Sequence, residues 1–155
     1  GAVALVAGTV QGARLAVGHG WRTLRTPLVW VLHLAYAWIV IHLLLRALAA
    51  AGWVAEPLAL HALTLGAIGV LTIGMITRTA RGHTARPLKA DGYETAAYLL
   101  VCAAALARVF GPMLLPAYYA ACVQVSGLSW VAAFGLYAVR YWPVLTRPRL
   151  DGKPG

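Results

Sequence analysis

The chain has 155 residues, of which 61% are hydrophobic and only 11% charged, with a mean hydropathy of +0.75. A soluble domain is about a quarter charged, so these values exclude an ordinary soluble fold and point to an integral membrane protein. The net charge of +9 would suit a nucleic-acid binder, but the basic residues cluster in short loops between apolar runs, which is a topology signal and excludes nucleic acid as a partner.

The apolar runs are continuous rather than alternating, so helices are predicted instead of the strands of a membrane barrel. About 20 residues are enough to cross a ~30 Å hydrocarbon core. A first, short span is predicted over residues 2–17; the chain enters it directly from Gly1 and reads as the C-terminal part of a larger polytopic bundle. A loop with Arg22 and Arg25 leads to a second span at 28–51, and a tight turn through Gly52 and Pro57 leads to a third at 58–79. A polar loop carrying Arg81, Arg86, Lys89 and Asp91 precedes the fourth span, 93–110. Gly111 to Pro116 then turn the chain into a fifth, 117–139, before a tail at 140–155 leaves the bilayer. The expectation is an all-α membrane protein of about five transmembrane helices in one region, 1–155.

Alternating the loops places eleven basic residues, Arg14 among them, on one side and only Arg46 and Arg108 on the other. The positive-inside rule makes the first side cytoplasmic, with the C-terminus there. Trp30, Trp53, Tyr93 and Trp142 fall near span ends as interfacial aromatics. Cys102 and Cys122 lie inside spans, where packing rather than a disulfide is expected.

Histidine is costly inside lipid and usually has a partner there. His33 lies about two turns into the second span, and His42 is nine residues further on, about 180° around the helix. His61 lies near the outer end of the third span, on a face with Thr64, Leu65, Ile68, Thr72 and Met75; Gly66, Gly69 and Gly74 lie on another face and predict a close helix contact. His19 and His83 fall in loops of the basic side. A hydrogen bond to a neighbouring helix would explain any one of these residues. Several at compatible depth raise a haem or copper site, because neutral imidazole ligates both metals. His61 leads as ligand, followed by His33 and His83. Arg78, Arg81 and Arg86 serve either topology and lipid contact or the propionates of a haem. Met75 and Met113 are expected to pack in the core. The four acids, Glu56, Asp91, Glu94 and Asp151, sit in loops or near span ends, so no buried carboxylate relay is expected.

The stretch from His61 through Gly66-Ala-Ile-Gly69 and Met75-Ile-Thr-Arg78 to Gly82-His-Thr-Ala-Arg-Pro-Leu88 resembles the signature of the NnrS family. So do Trp30-Val-Leu-His-Leu-Ala-Tyr-Ala-Trp38 and the closing Tyr141 to Gly155, so that the likeness covers nearly the whole chain. Ala85 stands where that family usually shows glycine, and Leu65 where valine is common. The resemblance implies a multi-pass protein of the bacterial inner (cytoplasmic) membrane that contains non-covalent haem and copper. It implies a role in nitric oxide metabolism, denitrification or resistance to nitrosative stress, with nitric oxide or a related small molecule as partner. It further implies that an N-terminal half of the same protein is missing here. Carried over residue by residue, it favours His33, His61 and His83 as functional, with Arg78 and Arg86 on the cofactor side. Two other readings stay open: a haem-copper redox enzyme using quinol electrons, and a transporter of a metal, haem or small molecule. All three rest on imidazoles of neighbouring spans converging on a bound group.

Overall fold

The computed structural model describes residues 1–153, and every regular element among the described residues is helical. Helix α1 is Ala2–Val17, α2 is Pro27–Ala50, α3 is Glu56–His83, α4 is Gly92–Val109 and α5 is Tyr119–Thr146. Segments built on α2, α3, α4 and α5 are long and apolar enough to cross a membrane, and α1 is a shorter apolar helix of 16 residues. The chain is therefore an all-α membrane protein.

Local chemistry sets the helix ends. Proline opens α2 at Pro27 and stands second in α3 at Pro57, where a missing N–H costs nothing. Asp91 and Glu94 form a capping box on α4: the Asp91 carboxylate accepts the Tyr93 and Glu94 N–H groups, and Glu94 accepts the Asp91 N–H. Helix α3 ends in a Schellman motif, with the Arg86 N–H donating to the Arg81 carbonyl and the Ala85 N–H to that of Gly82.

Helix α2 is the central element. One face buries Leu28, Val31, Ala35, Trp38 and Leu45 against α3 and α4; the face bearing Tyr36, Val40 and Leu44 meets α1. Within α3, residues Ala62–Gly69 wind as a π-helix. The missing side chain of Gly66 admits the Trp38 indole there: a Cβ would lie 2.4 Å from Trp38 Cδ2. One at Gly74 would lie 2.9 Å from Val31, whereas at Gly69 the nearest atom would be 3.6 Å away, an ordinary contact. The glycine face is thus a close helix contact at Gly66 and Gly74 only.

Helix α3 runs to His83 and α5 to Thr146, beyond the spans expected to end at 79 and 139, and Ala80 and Tyr141 are buried there. Two expectations need correction. Trp53, Tyr93 and Trp142 are exposed, but Trp30 packs edge-on against buried Tyr98. Met75 and Met113 are exposed instead of packed in the core.

The loop after α1, the loop after α3 and the tail after α5 share one end of the bundle, here called the basic end. The Leu150 N–H donates to the Thr84 carbonyl at 3.3 Å, and Arg86 reaches the Val144 carbonyl at 3.4 Å.

Candidate functional site

Helical phase sends the two α2 histidines to opposite partners. His42 is buried, and its Nδ1 lies 2.7 Å from the Ala59 carbonyl of α3. A carbonyl only accepts, so this nitrogen carries the proton, and His42 is a helix–helix contact. His33 faces α1 and the turn after it; a Cβ on Gly20 would meet the His33 ring at 3.0 Å. Its Nδ1 lies 3.2 Å from the Val29 carbonyl, one turn earlier in α2. In the neutral ring that bond leaves the Nε2 lone pair uncommitted, the arrangement seen in metal-ligating histidines.

His33 stands between two clefts. The larger, about 460 Å³, is lined by Leu15, Trp21, Leu24, Trp30 and Leu34, with no charged side chain. The smaller, about 310 Å³, adds Arg14 and Tyr36. There Gln11 accepts from Tyr36 at 2.5 Å and from Arg14 at 3.4 Å. A single imidazole donor, an apolar cleft faced by indoles and a nearby arginine match the chemistry of a haem: one axial ligand, a flat apolar ring and acidic side groups. The residues present fit that group at His33.

The other histidines do not join it. His61 is half-exposed on α3, its Nδ1 held at 2.5 Å by the Pro57 carbonyl. The contact of His42 with Ala59 fixes the relative depth of α2 and α3, and counting residues from it leaves His33 and His61 roughly 10 Å apart along the helix axes. Thr64, Ile68, Thr72 and Met75 continue the exposed face of His61, away from α1. His83 is exposed as the last residue of α3, and His19 is exposed with its Nδ1 on the Val17 carbonyl. Arg78 is half-buried, Arg86 reaches the Val144 carbonyl, and neither lines the His33 clefts. No group of three or more His, Cys, Asp or Glu side chains placed to hold a metal ion occurs among the described residues. The convergence of imidazoles expected from the sequence is not built by this chain.

A second polar cluster was missed. Glu94 is 2% exposed, pairs with Arg81 at 2.6 Å and accepts from the Tyr141 hydroxyl. Thr77 shares a 2.5 Å hydrogen bond with Tyr98, while Asp91 takes Arg140 at 2.8 Å. Partial burial alone would raise the Asp91 carboxyl, but Arg140 and the Glu94 and Tyr93 N–H groups outweigh it and hold the group below its ordinary range. Breaking one side of a buried pair costs about 3–5 kcal/mol, far more than loss of an exposed pair such as Arg149–Asp151. Glu94 therefore fastens the basic ends of α3, α4 and α5 together. The signal was present in Asp91-Gly-Tyr-Glu94, a capping box ahead of an apolar run.

Neither a curated protein nor a solved structure matches the chain. A family model described as NnrS protein matches residues 1–149. That stretch holds helices α1 to α5 and all five histidines, and the chain belongs to the NnrS family.

Proposed function

We propose that the protein is a haem-binding membrane protein of nitric oxide response, acting in nitric oxide metabolism, denitrification or resistance to nitrosative stress. The observation that carries this reading is His33, whose Nδ1 is held by the Val29 carbonyl beside an apolar cleft of about 460 Å³, within the usual size range of ligand sites. His33 is the ligand, and Trp21, Trp30 and Leu24 line the apolar cleft beside it. A haem there supplies an iron that binds diatomic molecules such as nitric oxide.

His61 and His83 are the further candidate ligands. The uncovered stripe of His61, Thr64, Ile68 and Thr72 receives the N-terminal half, which supplies what a copper site still needs. Arg78 and Arg86 act at the basic end, which faces the cytoplasm of a bacterial inner membrane with the C-terminus; the positive-inside rule supports that orientation. A quinol-driven haem-copper enzyme is the weaker reading, because Asp91, Glu94 and Asp151 are each held by an arginine and no carboxylate lines the His33 clefts.

Optical and EPR spectra of the purified full-length protein test the proposal, with His33→Ala, His61→Ala and His83→Ala alongside. His33→Ala is expected to lose most of the haem signal. An unchanged haem spectrum in all three variants would refute the assignment, and nitric oxide consumption that requires added quinol would favour the enzyme.

A further inference from the structure

Helix α1 carries a charge at a depth that its neighbours do not explain. The antiparallel register of α1 on α2 is fixed by close approaches: Gly8 to Leu44, Gly12 to Val40 and Gly20 to His33. Residue 14 is then level with Trp38, eleven residues beyond Pro27. That is about 16 Å from the basic end of α2, near the middle of a ~30 Å core. The reading of Arg14 as a loop-side residue is corrected accordingly, because α1 stops well short of the end of α2.

An arginine at that depth costs about 3 kcal/mol even on insertion scales, so such residues take a polar partner or face a cavity; Arg14 is exposed at the smaller cleft. No carboxylate pairs with it here. Asp91 and Glu94 are taken by Arg81 and Arg140, Asp151 by Arg149, and Glu56 stands at the opposite end beside Arg46. Arg14 donates one 3.4 Å bond to Gln11, whose oxygen also takes the Tyr36 hydroxyl. Of the five N–H donors on a guanidinium, the others have no side-chain acceptor among the described residues. Lipid phosphate lies at the membrane surface, too far away to serve.

We propose that Arg14, oriented by Gln11 and Tyr36, binds a carboxylate of the haem held by His33 and so fixes which way the ring enters the cleft. This rests on the His33 reading. His33 lines both clefts, so Arg14, in the smaller, would neighbour an acidic group on a ring held in the larger. The role assigns the acidic-group partner to Arg14 in place of Arg78 and Arg86.

The test titrates the full-length protein, stripped of haem, with haem and with its dimethyl ester, which lacks both negative charges, and follows absorption. A charge-assisted hydrogen bond predicts that the wild type prefers the free acid by about tenfold. Arg14→Gln and Arg14→Ala are expected to abolish that preference while keeping the His33-ligated spectrum, and Arg14→Lys to retain part of it. Equal binding of both compounds by the wild type overturns the proposal and leaves His33 standing. A preference that survives in Arg14→Gln but disappears in Arg78→Ala or Arg86→Ala also overturns it. Failure of the wild type to bind either compound removes the His33 reading itself.

Discussion

Ala85 holds a φ of +56° at the residue that closes the Schellman motif of α3. In that left-handed region an L-residue with a Cβ is strained by about 1–2 kcal/mol, and glycine is not. The glycine that the family resemblance implies at this position thus has a backbone cause. Ala85→Gly is expected to stabilise the protein by about 0.5–1 kcal/mol, since the greater freedom of glycine in the unfolded chain offsets part of the gain. Thermal unfolding in detergent would read this as a higher midpoint. Single residues were legible where helical phase decides: a spacing of nine residues put His33 and His42 on opposite faces, and they do meet different helices. The capping role of Glu94 is legible in Asp91-Gly-Tyr-Glu94, but its burial is not, because that depends on Tyr141, 47 positions away.

Helix α3 shows what an element's sequence gives and withholds. Its length and apolar run were evident, and its glycines announced a tight approach. The wide π turns of Ala62–Gly69 depart from the period of 3.6 that an apolar helical run implies, and no residue type announces them. Those turns begin directly after His61 and contain Gly66, the seat of the Trp38 ring. Gly66→Ala would force the Cβ into the indole and is expected to cost about 1–3 kcal/mol, as overpacking does. Gly69→Ala, with 3.6 Å of clearance, is expected to change stability by less than about 0.5 kcal/mol. Denaturation midpoints of the two variants, measured side by side, would separate a specific Trp38–Gly66 fit from a general intolerance of side chains in α3. Equal losses would contradict the fit.

At the scale of the whole molecule, two devices divide the work. One buried ion pair and a set of hydroxyls fasten α3, α4 and α5 at the basic end, while α1 and α2 enclose the His33 clefts on another side. The helical, apolar character of the chain and four membrane-spanning helices could be read from the sequence, because continuous hydrophobic runs leave few alternatives; the expected first span is a shorter helix of 16 residues. The meeting of histidines could not, since depth and face from one helix say nothing about which neighbour covers it. His61 thus ranked first by sequence, yet it lies on an uncovered face, whereas His33 lines a cleft.

The most direct measurement is EPR of the full-length protein labelled with ¹⁵N-histidine, at the iron of the haem proposed for the His33 cleft. A ¹⁵N hyperfine coupling is predicted in the wild type and in His42→Ala, and its loss is predicted in His33→Ala. A coupling that persists in His33→Ala would contradict the account.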